Sequence, residues 1–388
     1  MDRLESLREQ VLGAVVPLPA ERCTLAAAGG RWLAEAVVAR RAAPPESCSA
    51  MDGYAVRASE VAGPVSLPVA FAVYAGDEPP APLPPGQVVR VFTGAPLPAG
   101  ADTVVMEEQV REEAGRASFR AAARAGDNVR QAGEDVAAGE LALPAGARLG
   151  PRQLGLCAAV AADEPRVIRR PRVALVSTGD EVVGLRTPDS NGAVLGAALA
   201  DMGASVSRRA VGDDLAAVAA ALQAALGEAD AVLTIGGVSV GRRDHVPAAL
   251  RLLGGEVRIH GVPMKPGKPF LFAIVGGKPF LGLPGSPSAC LVAFEVFARP
   301  ALLRLSGATE VRRRTLALPL AEPVEGRAGR ARFLWARLDE QGRAAPIGRD
   351  AAQVRGPALA DLLLHLREGT GSLPAGAPVE AWLLEDGR

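Results

Sequence analysis

Apolar positions change their spacing several times along the chain, and each change predicts a different kind of element. Leu4, Leu7, Val11, Leu12 and Val15 recur at helical spacing, which predicts a helix over 4–15. A short helix running into the strand-like Ala36-Val37-Val38 is predicted over 24–39. After about Val56 the texture turns to short apolar runs, 65–73, 87–92 and 103–106, separated by Pro and Gly clusters. That is the pattern of a small all-β unit. Helical spacing returns over 149–162, so the β unit reads as an insertion within a helical first domain.

From Arg172 onward, strand and helix alternate. Val173-Ala174-Leu175-Val176 is apolar throughout, as in a parallel strand covered on both faces. Further strands are predicted over 205–211, 231–235, 257–262, 270–274 and 279–283, and helices over 191–202, 213–226, 245–253 and 287–305. For the second of these helices Asp213 or Asp214 is the expected N-cap and Gly227 the expected C-cap. The sum is a doubly wound α/β domain. Short β runs with turn residues fill 314–388, with one helix-like stretch over 358–365, and predict a second β domain. The expected division is 1–44 with 147–170 helical, 45–146 inserted β, 171–307 α/β and 308–388 C-terminal β. A chain of 388 residues is too long for one typical core.

Composition narrows the chemistry. Lys plus Arg and Asp plus Glu both number 43, so no net field draws nucleic acid or an anionic membrane. No uncharged apolar run reaches the roughly 18 residues of a membrane span, and the first residues lack a signal-peptide layout. Cys23, Cys48, Cys157 and Cys290 form no C-x-x-C pair, which points to reduced thiols and a cytoplasmic setting. With only His245, His260 and His365, a zinc site gives way to carboxylates and a hard ion such as Mg²⁺.

In an open α/β sheet, ligands bind beyond the carboxyl ends of the strands. Four loops are expected there: Ser177 to Glu181, Gly236 to Asp244, Lys265 to Pro269 and Pro284 to Pro287. They offer Lys265 and Lys268, glycine N–H groups at Gly236, Gly237 and Gly285, and the acids Asp180, Glu181 and Asp244. Lysines and N–H groups hold oxyanions and carboxylates hold Mg²⁺, a mixture suited to phosphoryl chemistry. Gly236 to Arg242 is not a Walker loop, because Arg242 and Arg243 stand where Lys and Ser/Thr are needed. Gly237-Val238-Ser239-Val240-Gly241 matches a nucleophile elbow, but neither His260 nor His365 lies where a triad needs it.

Taken together, the motifs resemble the MoeA-type molybdopterin molybdenumtransferases, related to the E domain of gephyrin. The matching stretches are 49–56 (SAMDGYAV), 93–95 with 100–106, 129–135, 177–181 (STGDE), 189–191, 236–244, 265–269 and 284–287. They run in the family's order over almost the whole chain. The resemblance implies a multidomain α/β fold: a doubly wound MogA-like domain, a helical N-terminal domain, an inserted β domain and a C-terminal β domain. It implies an elongated homodimer that inserts molybdate into adenylylated molybdopterin with Mg²⁺, releasing AMP, with a site shared between subunits. It assigns catalysis to Asp52, Asp135, Glu181 and Asp244, with Asp52, Glu181 and Asp244 as Mg²⁺ ligands. It assigns substrate binding to Thr93, Asp213, Gly236, Gly237, Ser239, Lys265, Lys268, Pro284 and Gly285. A MogA-like adenylyltransferase is an expected partner.

The chain departs from the family at Ile235 (usually Ser), at Ser286 (usually Asn) and near the C-terminal anion ligands. There, Arg332, Arg337 and Arg355 are the available cations. Two alternatives remain open at the level of sequence: an adenylyltransferase of molybdopterin, and a non-enzymatic scaffold of the gephyrin type.

Overall fold

The computed structural model describes residues 2–184, 186–327, 329–348 and 352–384. Its centre is a mixed sheet built from β1 (Arg172–Thr178), β2 (Ser205–Val211), β3 (Ala231–Ile235), β4 (Glu256–His260), β5 (Leu271–Val275) and β6 (Lys278–Leu283). The spatial order is β2-β1-β3-β6-β5-β4. The first four of these run parallel, β5 runs antiparallel to β6, and β4 runs antiparallel to β5 and so in the direction of the first four. The sheet is therefore doubly wound over one part and a meander over the other. Val173 and Leu175 enter one core while Ala174 and Val176 enter the other, as a two-sided strand requires.

Helices α1 (Ser190–Asp201), α2 (Leu215–Glu228), α3 (Val246–Leu252) and α4 (Pro287–Ala293) cover the faces. Leu195 and Leu199 of α1 pack in one core with the stretch after Pro287, and Val218 and Leu222 of α2 pack in the other with Leu250 of α3. Burying each such side chain stabilises the fold by roughly 1.5–3 kcal/mol. Asp214, not Asp213, caps α2, its carboxylate accepting the Ala217 N–H at 2.8 Å. Gly227 lies inside α2, and the chain leaves the helix extended at Ala229. The predicted helix over 287–305 is one rod with a π turn at Phe294–Ala298. Pro300 has no N–H for the Val296 carbonyl four residues back, and Arg8 Nε donates to that oxygen at 3.3 Å.

The flanking parts pack on this centre. Helix Arg3–Gly13 sends Leu4 and Val11 into the core of the central sheet. Helices Leu25–Ala28 and Pro151–Ala159 share a separate small core with Leu33, Val37 and Leu149. The inserted sheet orders Thr103–Met106, Gly53–Val56, Val88–Val91, Val65–Val73, Arg116–Phe119 and Val110–Glu113. The last sheet contains Ala331–Leu338, Leu362–Leu366, Pro378–Leu383 and Thr315–Pro319, with Met264–Lys265 on its edge. The helix expected over 358–365 is instead a turn and a strand; only Arg355–Ala358 is helical. Leu362 to Leu366 is buried at every position, and such a run carries no period to separate strand from helix. Among the described residues no helix is long and apolar enough to cross a membrane.

Candidate functional site

The parallel strands bring their carboxyl ends to one edge, and the loops that leave them hold most of the expected site. After β1, Asp180 and Glu181 open a short helical turn, with the Glu181 carboxylate folded against Gly179. After β2, Asp213 clasps this turn: its N–H donates to Asp180 Oδ1 at 2.9 Å, and the Asp180 N–H reaches Asp213 Oδ2 at 3.5 Å. After β3, Gly236 and Gly237 take φ of 80° and 66°, a left-handed turn. A Cβ on Gly237 would meet Thr178 Oγ1 at 2.8 Å, so only glycine lets the loop cross β1 this closely. Asp244 closes the same loop, Oδ2 accepting the Gly241 N–H at 2.8 Å.

Two expectations about this loop change. The Gly236 N–H donates to Leu283 O at 2.9 Å, so it is committed to the fold and not offered to an anion. Ile235, where the family usually has Ser, is 4% exposed and packs in the core, so the exchange is absorbed by packing. His260 Nε2 bonds the carbonyl of Val238 at 2.9 Å. It braces the loop beside Ser239 and is not paired with the serine hydroxyl, which removes the nucleophile reading.

Lys265 and Lys268 reach the edge as expected, on the loop beyond the carboxyl end of β4. That strand runs in the same direction as the parallel strands, because it is antiparallel to β5 and β5 is antiparallel to β6. Because β5 runs antiparallel to β6, Leu271 at its start lies opposite Gly282 near the end of β6, and the loop arrives at the same edge. Both lysines are exposed. Met264 and Lys265 pair in parallel with Ala331 and Arg332, which stitches this loop to the C-terminal sheet. Of the three arginines proposed for the C-terminal part, Arg332 is the one in register beside Lys265. Its guanidinium donates to the Glu325 carbonyl. Arg337 lies near the far end of that strand, and Trp335 turns inward to donate from Nε1 to Ser288 Oγ at 2.8 Å.

Pro284 and Gly285 follow β6 on the same edge. Asn191 Nδ2 fixes them by donating to Gly285 O at 2.7 Å. Asp189 accepts from Ser177 Oγ at 2.8 Å and caps α1 through the Gly192 N–H at 2.9 Å. Asp189, Asn191 and His260 are thus positioning residues that motif reading left without roles. An Asp before a helical apolar run is an N-cap signal, so Asp189 was there to be found.

Asp52, Thr93 and Asp135 belong to other elements than this edge, beside strands of the inserted part. Asp52 ends a loop just before strand Gly53–Val56 of the inserted sheet. Its Oδ1 accepts both the Thr93 N–H at 2.7 Å and the Thr93 hydroxyl at 2.8 Å. The Thr93 N–H first and its hydroxyl second hold the carboxyl below the ordinary range, helped by the charge of Arg90. Asp135 is exposed in the turn that follows Val129–Arg130. No hydrogen bond or ion pair among the described residues joins these three to the sheet edge. Nor do three His, Cys, Asp or Glu side chains cluster closely enough among the described residues to hold a metal.

A doubly wound sheet with acids, a glycine turn and two lysines gathered on one edge defines a protein that handles phosphate-linked or oxyanion ligands. Comparison narrows this class to a family. The MoeA N-terminal region (domain I and II) matches residues 3–161, a probable molybdopterin binding domain matches 174–304, and the MoeA C-terminal region (domain IV) matches 317–384. Molybdopterin molybdenumtransferase 2 of Mycobacterium tuberculosis strain H37Rv is 37% identical over 92% of this chain and 93% of its own. The molybdopterin molybdenumtransferase of Synechococcus elongatus is 37% identical over 95% of each chain. The crystal structure of a molybdopterin biosynthesis MoeA protein from Pyrococcus horikoshii superposes with a TM-score of 0.83 at 32% identity, covering 99% of both chains. The chain belongs to the MoeA family of molybdopterin molybdenumtransferases.

Proposed function

We propose that this chain inserts molybdate into the dithiolene of adenylylated molybdopterin, forming the molybdenum cofactor and releasing AMP. The observation that carries the reading is the one sheet edge holding Glu181, Asp213, Asp244, the Gly236-Gly237 turn, Pro284-Gly285 and both lysines. Relatives named for molybdenum transfer, aligned over nearly the whole chain, support it. Lys265 and Lys268 would neutralise the molybdate dianion as it meets the dithiolene. At the edge of solvent, one charge contact near 4 Å is worth about 1–4 kcal/mol, so two lysines suit a substrate that must also leave.

In this reading two copies pair so that Asp52, Thr93 and Asp135 of one face the sheet edge of the other. The free oxygens favour it. Both Thr93 bonds fall on Asp52 Oδ1 and the Gly241 bond falls on Asp244 Oδ2. Asp52 Oδ2 and Asp244 Oδ1 accept nothing from the described residues and are open to a ligand. Mg²⁺ takes one or two carboxylates together with substrate phosphates, so an edge without a ready-made cage fits it. Asp244 and Glu181, with Asp52 of a second copy, would hold the ion, which when bound polarises the phosphate under attack. The Asp180–Asp213 clasp keeps the Glu181 turn in place while substrate enters. A MogA-like adenylyltransferase would supply the adenylylated substrate, and four free cysteines accord with work in the cytoplasm.

The test is AMP release from adenylylated molybdopterin with Mg²⁺, with and without molybdate. The expected result is release that depends on molybdate, and no adenylate formed from molybdopterin and Mg-ATP. Formation of the adenylate would assign the adenylyltransferase activity instead. Stable peptide partners with no AMP release would assign a scaffold.

A further inference from the structure

We propose that Tyr74, backed by Phe92, is a stacking platform for a flat nitrogen heteroaromatic ring, the adenine or the pterin of the adenylylated substrate. The inference rests on the functional reading above and deepens it. Tyr74 follows strand Val65–Val73 and is 54% exposed, although the chain has only two tyrosines. Its ring lies 4.6 Å from that of Phe92 with an interplanar angle of 8°, a parallel stack that covers one face.

The stack is held from below. The Tyr74 N–H donates to Asp77 Oδ2 at 2.7 Å and the Asp77 N–H returns to Tyr74 O at 3.2 Å, which fixes the turn carrying the ring. The Phe92 N–H donates to Val73 O at 3.3 Å, tying the two aromatic residues through neighbouring backbone. Arg90 lies 5.5 Å from the Phe92 centroid and is itself held by Glu107 and Glu112 at 3.4 and 3.3 Å. Phe92 therefore lies against both Tyr74 and Arg90, and Tyr74 is the exposed member of the stack.

Position supplies the occupant. Phe92 immediately precedes Thr93, which grips Asp52, and the charge of Arg90 acts on that same carboxyl. A ligand whose phosphates meet Asp52 therefore brings its ring close to Tyr74. A single exposed aromatic on a surface needs no explanation. A pre-stacked aromatic beside the acid of a nucleotide-linked site does, because a ring already ordered loses little entropy on binding. Base–aromatic stacks tolerate any flat ring, so adenine and pterin share the chemistry.

The experiment compares wild type, Tyr74→Ala, Tyr74→Phe and Tyr74→Trp in three titrations: adenylylated molybdopterin, AMP, and 6-hydroxymethylpterin. Each variant is also weighed by light scattering. Loss of such a platform weakens binding roughly five- to a hundredfold. The expected result is that loss in Tyr74→Ala for the whole substrate and for one of the two fragments, with Phe and Trp restoring it. The fragment affected identifies the ring. KM should rise while saturated AMP release stays within about twofold, because stacking far from the reacting bond is uniform binding. Unchanged binding of all three ligands overturns the platform, as does a change confined to oligomeric mass. If wild type itself releases no AMP, the functional reading fails first and by a different readout.

Discussion

At the scale of single residues, the chemistry turns on which oxygens are left free. Asp52 spends one oxygen on Thr93 and keeps the other, and Asp244 does the same with Gly241. Glycine, lysine and acid positions were all legible in the motifs. The commitment of the Gly236 N–H to Leu283 was not, because it depends on two strands ending side by side. Nor was the fate of Ile235, whose loss of a hydroxyl matters only if that position faces the ligand; it faces the core. A prediction follows from the Thr93 grip. The Thr93 N–H and hydroxyl both favour ionised Asp52, so its carboxyl stays charged to lower pH than an ordinary aspartate. Thr93→Val removes the hydroxyl contribution and lets the pKa rise. The acid limb of the pH profile of AMP release should then move to higher pH, whatever the height of the plateau. An unmoved limb would take Asp52 ionisation out of the rate law.

At the scale of elements, periodicity read well wherever one or two faces were buried. The strands at 205–211 and 231–235 matched residue for residue, and the alternation within β1 sorted its side chains between the two cores. It failed where the physical cue was missing. A buried run such as Leu362 to Leu366 has no period. Gly227 looked like a helix end, but α2 needs no left-handed residue there and simply exits extended. The direction of β5 was also invisible, since a strand's apolar pattern does not tell parallel from antiparallel; the lysine loop still meets the working edge as expected, because it leaves the end of β4, where His260, Leu271 and Gly282 lie in register. The sheet that carries this edge rests on its core. Leu233 on β3 is fully buried among the side chains that join the sheet to α1 and the Pro287 helix. Leu233→Ala should cost about 2–5 kcal/mol in chemical denaturation, by lost transfer energy and a residual cavity. A cost near zero would mean that the central core does not set the stability of the edge.

At the scale of the whole molecule, the first domain and the central sheet meet at an ionic joint. Asp230, whose side chain is 6% exposed, takes Arg169 Nη1 and Nη2 at 2.6 and 2.7 Å and the Arg172 N–H at 2.9 Å. Burial pushes its carboxyl up, but Arg169 and Arg172 outweigh burial and hold it well below the ordinary range. A depressed carboxyl contributes stability above its unfolded pKa of about 3.9 and loses it as pH falls towards the folded value. Asp230→Asn should therefore cost about 2 kcal/mol at pH 7, discounted for the partial exposure of Arg169, and the gap to wild type should narrow below about pH 4. Urea midpoints at the two pH values check it. A gap that widens in acid would reverse the sign of the argument.

The larger claim is that one chain cannot complete its own site, because Asp52 and the lysine edge belong together only when two chains pair. Mixing is the direct measurement. Asp52→Asn and Lys268→Ala chains are each purified, then unfolded and refolded together, and AMP release is assayed. Each parent should be inactive. Random pairing makes about half the dimers mixed, and each mixed dimer has one site free of both substitutions, so about a quarter of wild-type activity should return. A refolded mixture as inactive as its parents, with mixed dimers demonstrated by differential tags, would contradict the shared site.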